Sequence, residues 1–259
     1  DVERSRGLGD VYKRQLNEEL TTSQMNRIYD TPNSFGRTYG EHRAFLELDD
    51  ESHFEVFKYA KEKGLDFVET LCAKGCMSLL KLFTPDYLKV ASRDLTNLPL
   101  LEIMAETKIP IILSTGMAGK QELDNALEII TRYHSDISIL HCVSQYPTYP
   151  DNLNLKTISY LKKHYGQYSI GFSDHTIGIS APVVAVGMGA EIIEKHVTID
   201  RHMKGTDQAG SLGPDGVNRM IRDIRIAEKW LGTEDLYIDK NVAVALSLIH
   251  ISEPTRPLY

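Results

Sequence analysis

Cysteine is scarce in this chain of 259 residues: Cys72, Cys76 and Cys142 are the whole complement. They are too few and too irregularly spaced for a disulfide framework or a four-ligand zinc site, which fits a reducing compartment and predicts a cytoplasmic protein. No apolar run reaches the roughly 20 residues of a spanning helix, and the start has no apolar signal stretch, so no membrane association is expected. Excess positive charge is missing too, since 29 Lys and Arg against 36 Asp and Glu leave a formal net charge of -7. Nucleic acid demands a positive surface, so it is also set aside as a partner. An anionic substrate would need a locally basic pocket inside an acidic protein. Nucleotide-binding glycine signatures are absent as well, with neither G-x-G-x-x-G nor a Walker pattern present. What remains, 42% hydrophobic and 25% charged residues, suffices for one large core.

The two ends differ from the rest. Asp1 to Gln15 (DVERSRGLGDVYKRQ) is polar without helical or strand period, and Leu246 to Tyr259 (LSLIHISEPTRPLY) carries two prolines and breaks the preceding pattern. Both resemble translated adapter sequence and are expected to be foreign or disordered tails. The informative domain then runs from Leu16 to Ala245. Its first part, to Leu48, has little apolar period and predicts a long surface excursion around TPNSFGRTYGEHR.

From Asp49 onward strand and helix alternate. Strands are predicted at Phe67 to Thr70, Leu88 to Ser92, Pro110 to Ser114, Ile137 to Cys142, Ser169 to Phe172 and Glu191 to His196. Helices are predicted at Glu51 to Lys63, Gly75 to Phe83, Leu98 to Glu106, Lys120 to Tyr133, Leu155 to Tyr165, Ser180 to Gly189 and Pro214 to Leu231. Such alternation means a parallel sheet with right-handed crossovers. Polar residues recur at the strand carboxyl ends: Thr70, Ser92, Ser114, His141, Ser173 and His196. A closed barrel gathers those ends at one mouth, whereas an open sheet fans them out. The fold class predicted is therefore α/β, a (β/α)8 TIM barrel that is incomplete. Six strands are countable, and the first two would have to precede Leu16.

Two histidines end successive strands, His175 in Gly171-Phe-Ser-Asp-His-Thr176 and His196 in Glu194-Lys-His-Val-Thr-Ile-Asp200. A lone strand-end histidine is more often a hydrogen-bonded structural residue. Two on neighbouring strands favour one divalent metal, with Asp174 a candidate for the carboxylate behind His175. Thr70, Lys89, Ser92, Ser114 and Ser173 bring hydroxyls and a cation to the same level, as phosphate and carboxylate groups require. Singly each serine is incidental, and Lys89 could equally snorkel outward. Tyr146, in the proline-bounded loop Ser144 to Thr148, is placed either to contact a sugar or simply to pack. Asp207, in Lys204-Gly-Thr-Asp207, either holds a polyol hydroxyl or is a solvated loop carboxylate.

The runs LKVASRDLTNLPLLEIMAETKIPIILSTGMA, LHCVSQYPT, GFSDHT, EKHVTID and KGTDQAGSL together resemble the N-acetylneuraminate (sialic acid) synthase family over nearly all of Asp66 to Leu231. The resemblance implies a TIM barrel and a divalent metal, Mn2+ or Mg2+, on His175 and His196. It implies phosphoenolpyruvate on Thr70, Lys89, Ser92, Ser114 and Ser173, and also on Ser144, where many relatives carry Asn. Asp94, Tyr146 and Asp207 would face an N-acylated amino sugar, Asp94 standing where several relatives carry Glu. Gln208 and Gly213 replace the His and Glu of many relatives, which leaves the sugar open. A first-strand glutamate and a K-F-Q motif of the family lack clear counterparts, Lys13 and Gln15 lying in the suspected tail. The family's antifreeze-like C-terminal domain, which lends an arginine to a neighbouring subunit, has no counterpart after Ala245, and the full-length parent would be a homodimer.

The implied reaction is condensation of phosphoenolpyruvate with the open-chain aldehyde of N-acetylmannosamine or a related sugar, releasing phosphate. The rivals are a legionaminic or pseudaminic acid synthase and a catalytically dead barrel that only binds. Unpaired strand edges predict that this chain alone is poorly stable and has little or no synthase activity.

Overall fold

The computed structural model describes residues 9–14, 20–237, 239–240 and 242–243, the first of these stretches as backbone. Seven strands form one parallel sheet in chain order: β1 Gly9–Arg14, β2 Asp66–Leu71, β3 Tyr87–Val90, β4 Ile111–Ser114, β5 Ile137–Cys142, β6 Ser169–Asp174 and β7 Ile192–Lys195. The α-helices packed with them are α1 Thr22–Met25, α2 Tyr39–Leu46, α3 Asp50–Glu62, α4 Leu98–Glu106, α5 Lys120–Ile130, α6 Lys156–Tyr165, α7 Ser180–Gly187 and α8 Pro214–Leu231.

Local chemistry sets the element ends. Asp49 caps α3 by accepting the Ser52 N–H at 2.7 Å, and Gly64 leaves the helix at φ 72°, a conformation costly for any residue with a Cβ. Pro214 opens α8, where its missing N–H costs nothing.

Strand parity then divides the core in two. Phe67, Leu71, Leu88, Val90, Leu113, Ile139 and Phe172 face the helices and share the large buried cluster with residues such as Leu101 and Met104 of α4 and Ile158 of α6. The alternate residues Val68, Ile112 and Leu140 form a small second cluster with Tyr87 and Ile192 on the other face. Above that inner layer, Lys89 Nζ of β3 lies 3.6 Å from Glu194 Oε2 of β7. Four strand spacings of roughly 4.8 Å would separate those strands in a flat sheet. The sheet is therefore strongly curled, with its inner face concave.

Three expectations need correction. Asp1 to Gln15 was expected to hold no packed element, yet Gly9–Arg14 pairs with β2 along its whole length, from Gly9 opposite Asp66 to Arg14 opposite Leu71. Backbone pairing, which needs no apolar composition, makes this strand, so seven are present rather than six. Among the described residues β1 and β7 each have one strand neighbour, so the sheet is not a closed cylinder. The excursion before Leu48 is also partly helical. Thr21 with Gln24 and Thr38 with Glu41 form capping boxes that start α1 and α2 without any apolar period. The helix expected from Gly75 is 3-10 in form, Lys74–Lys81. The segment after Ala245 lies outside the described residues, as does Gln15.

Candidate active site

The inner face that carries Val68, Ile112 and Leu140 ends, one or two steps further along each strand, in polar groups. Thr70, Lys89 and Ser114 are each nearly fully buried there. Lys89 Nζ donates to Ser114 Oγ at 2.7 Å and to the Val90 carbonyl at 3.1 Å, so the lysine points into the concavity rather than snorkelling outward. Thr70 stands beside it in register, and on its other side the backbone of Lys13 is the register neighbour.

Beyond β4 the chain passes through Gly116, whose N–H donates to Ser92 Oγ at 3.0 Å. A Cβ at this position would lie 2.5 Å from Ser144 Oγ, 2.8 Å from Ser92 Oγ and 2.9 Å from Cys142 Sγ. Glycine therefore lets hydroxyls from the loops after β3 and β5 gather around one backbone amide. Asp94 follows on the short 3-10 turn Ser92–Asp94, its carboxylate 3.3 Å from Arg93 Nε.

The histidines lie on the β6 and β7 side. Their ring centroids are 5.4 Å apart at 71°, and Tyr146 covers both, 4.0 Å from His175 and 5.8 Å from His196. His175 Nδ1 is 2.8 Å from the Val143 carbonyl. A carbonyl only accepts, so Nδ1 carries the proton and a neutral ring presents its lone pair at Nε2. Thr148 N–H donates to the His175 carbonyl at 3.0 Å, tying the Tyr146 loop to the same turn. His196 Nδ1 is 3.7 Å from Asp207 Oδ2. Ser173 Oγ donates to Glu194 Oε1 at 2.7 Å, between the histidines and Lys89.

Electrostatics follow from this crowding. Burial lowers the His196 pKa, and the nearby His175 adds to that effect, outweighing the pull of Asp207 and Glu194; the neutral, ligating imidazole is favoured. Burial acts the same way on His175, but its bonds to Cys142 and Val143 and the charge of Glu194 raise it overall. One Nδ1–H serves the carbonyl at 2.8 Å far better than Cys142 Sγ at 3.8 Å, so the carbonyl bond is the structural one. Burial pushes the Cys142 thiol up, yet its contacts with His175, Ser92 and Ser173 leave it below the ordinary value. Burial, reinforced by Cys142, Asp207 and Glu194, raises Tyr146 to about 12, so its hydroxyl remains a donor at neutral pH.

The predicted residues Thr70, Lys89, Ser92, Ser114, Ser144, Ser173, Tyr146, His175, His196 and Asp207 are thus drawn towards one concave mouth. Two others face away. His141, expected at the mouth, turns to the helix side, stacks on Phe172 and contacts the Leu153 carbonyl at 2.8 Å. Its neighbour Cys142 takes the inner position. Asp174, expected behind His175, is buried on the outer side, where Lys195 Nζ meets its Oδ2 at 2.7 Å. Sequence reasoning assigned no role to Glu194, Cys142 or Gly116. Each lies two residues from a residue that it did select, His196, Ser144 and Ser114, and a period of two was the available signal.

The imidazoles fit a divalent ion as two of its ligands, through the Nε2 lone pair of His175 and the favoured neutral form of His196. Among the described residues no group of three His, Cys, Asp or Glu side chains gathers to hold one. Remaining positions would be left for oxygen donors of substrate or water.

The sequence model of the NeuB family matches residues 10–235. The chain is 32% identical over 221 residues to N-acetylneuraminate-9-phosphate synthase of Homo sapiens, an alignment covering 85% of this chain and 62% of that protein. It is 36% identical over 193 residues to N,N'-diacetyllegionaminic acid synthase of Legionella pneumophila, covering 73% and 54% respectively. The crystal structure of N-acetylneuraminic acid synthetase from Leptospira borgpetersenii in complex with citrate superposes at a TM-score of 0.75, with 32% identity over 83% of this chain and 76% of that one. The chain thus spans between half and two thirds of the length of these two curated relatives.

Proposed function

We propose, from the premise that this chain belongs to the NeuB family, that it carries the barrel of a synthase for nonulosonic acids. Its substrates are phosphoenolpyruvate and an N-acylated amino sugar of the N-acetylmannosamine type. The carrying observation is Lys89, buried in the concavity with Ser114 at 2.7 Å, in the same mouth as two imidazoles 5.4 Å apart. A buried ammonium flanked by hydroxyls neutralises an anion and orients it without reorganisation.

Lys89, Thr70, Ser114 and Ser173 then hold the phosphate and carboxylate, and Ser144 and Ser92, the latter oriented by the Gly116 N–H, complete the cradle. His175 and His196 bind a divalent ion, Mn2+ or Mg2+, which when bound supplies Lewis acidity towards the sugar aldehyde oxygen. Tyr146 roofs the histidines and offers its hydroxyl to the sugar, while Asp94 and Asp207 accept from sugar hydroxyls. Carbon 3 of phosphoenolpyruvate bonds to the aldehyde carbon, water adds at carbon 2, and phosphate departs with the bridging oxygen. Glu194, 2.7 Å from Ser173 Oγ and 3.6 Å from Lys89 Nζ, is placed to take a proton near the reacting carbons.

Calorimetric titration of the chain with phosphoenolpyruvate in the presence of Mn2+ tests the anion half of this reading. Binding by the parent and its loss in Lys89→Met are expected, and equal affinity in the two would sink it. Phosphate release by the full-length parent with a panel of acylated hexosamines identifies the sugar. The residual reading of a non-catalytic binding module requires ligand binding without any such release.

A further inference from the structure

We infer that Lys195 and Asp174, a buried ion pair on the side of the sheet away from substrate, are positioning residues that set the distance between His175 and His196. The inference rests on the assignment of those histidines as metal ligands.

Strand parity sets where the two side chains point. Parallel pairing sets Ser173 opposite Glu194 and Asp174 opposite Lys195. Ser173 and Glu194 face the mouth and bond to each other, so Asp174 and Lys195 face the helices. Their side chains are 0% and 3% exposed, and Nζ lies 2.7 Å from Oδ2. A pair this deep contributes little net stability, because desolvation of both ions offsets their attraction. The other bonds of the pair show where it acts. Asp174 Oδ1 accepts the Thr176 N–H at 2.8 Å, and Lys195 Nζ donates to the Thr176 carbonyl. The two side chains therefore grip the residues on both sides of His175, and the lysine that does so is covalently next to His196.

Each histidine stands just past the last residues paired between β6 and β7, Asp174 and Lys195. Beyond them the His175 carbonyl accepts the Thr148 N–H at 3.0 Å and the His196 carbonyl accepts the Leu212 N–H at 2.9 Å, so the backbone at each histidine is tied to a third segment and no longer to the other strand. The clamp is what joins the two strand ends to each other there. It fixes the arc Asp174-His175-Thr176 against β7, and the Val143 carbonyl then sets the His175 ring within that arc. Groups that orient a ligand from behind typically change metal affinity about 10- to 100-fold when removed.

The test uses the full chain and two readings, Mn2+ affinity by electron paramagnetic resonance and the His175 tautomer by long-range proton–nitrogen NMR of the metal-free protein. Asp174→Asn with Lys195→Met removes both charges at similar volume while Asn keeps an acceptor for Thr176. It is expected to weaken Mn2+ binding about 10- to 100-fold and to disperse the Nδ1–H signal, with Tm within a few degrees of the parent. Unchanged affinity and tautomer in this folded variant would overturn the inference. Should the double variant not fold, Lys195→Arg keeps the buried charge paired. Its planar fork cannot set one nitrogen between Asp174 and Thr176, so the same losses are expected and unchanged values overturn the inference equally. His175→Ala and His196→Ala separate the premises. If the parent itself binds no Mn2+, or these variants bind it normally, the metal assignment fails, whereas their loss beside intact binding in the clamp variants overturns the clamp alone.

Discussion

Adding one methyl group at Gly116 probes the proposed anion cradle without touching any side chain in it. The new Cβ of Gly116→Ala would lie 2.5, 2.8 and 2.9 Å from Ser144 Oγ, Ser92 Oγ and Cys142 Sγ, so each must retreat by roughly half an ångström or more to reach ordinary contact. All three are single-rotor groups facing a concave mouth, and turning χ1 relieves most of the overlap. Overpacking costs about 1–3 kcal/mol in general, and the freedom of these rotors argues for the lower end, about 1 kcal/mol. The ligand cannot be relieved in the same way. If Ser92 and Ser144 each donate to a charged oxygen, hydrogen bonds worth about 1.5–3 kcal/mol apiece are weakened or lost. Losing one of them already weakens phosphoenolpyruvate binding about tenfold, and losing both weakens it about 100-fold or more. Urea denaturation reads the first quantity and calorimetric titration with phosphoenolpyruvate the second. The reasoning is refuted if affinity stays within about twofold of the parent, or if the fold loses more than about 3 kcal/mol while binding is intact.

A second glycine gives the opposite balance: at Gly171 the added Cβ would lie 2.5 Å from the Ile192 carbonyl oxygen and 2.5 Å from Leu140 Cδ2. Backbone of the neighbouring strand cannot rotate away, so Gly171→Ala should cost at least about 3 kcal/mol in urea, and a loss under 1 kcal/mol contradicts the inner-layer packing. His196→Ala should abolish Mn2+ binding yet shift Tm little, since its side chain is 39% exposed; gross unfolding would instead make it a structural histidine. At the rim of the helix layer the buried Tyr165 donates to the partly exposed Asp124 at 2.7 Å, and Lys120 and Tyr165 together hold the Asp124 carboxyl below its usual range. A depressed folded-state pKa means stabilisation present above roughly pH 4 and lost as pH falls through the folded value. Tyr165→Phe should therefore cost at most about 1 kcal/mol at pH 7 and make the acid loss of stability shallower, whereas superimposable acid limbs would count against the link.

Most of the β2 to α8 region was legible because period and punctuation agreed there. The Ile137 to Cys142 strand and the Pro214 to Leu231 helix occur with the bounds that the sequence suggested. The first strand was not legible, since GDVYKR has no apolar face and acquires its form by pairing with Asp66–Leu71. Nor were α1 and α2, which Thr21, Gln24, Thr38 and Glu41 start through capping rather than through burial. In the site, hydroxyls and histidines were found because strand carboxyl ends were searched for polar residues. Position at a strand end carries no parity, so it marks His141 as a mouth residue and passes over Cys142.

Parity also explains why the two densest motifs hold two kinds of chemistry. In Ser-Asp-His the first and third residues look into the concavity, where Ser173 meets Glu194 and His175 meets Tyr146. In Glu-Lys-His the first and third again look inward, and the middle residues of both motifs meet on the far side as Asp174 and Lys195. A sheet strand cannot place three consecutive side chains on one face, so a site that needs Ser173 and His175 must send residue 174 into the helix layer. There an apolar side chain would pack at lower desolvation cost than a carboxylate. The choice of a charged pair in that layer, bonded to the turn around His175 rather than to the helices, makes sense only if the geometry of that turn matters more than the energy of the layer.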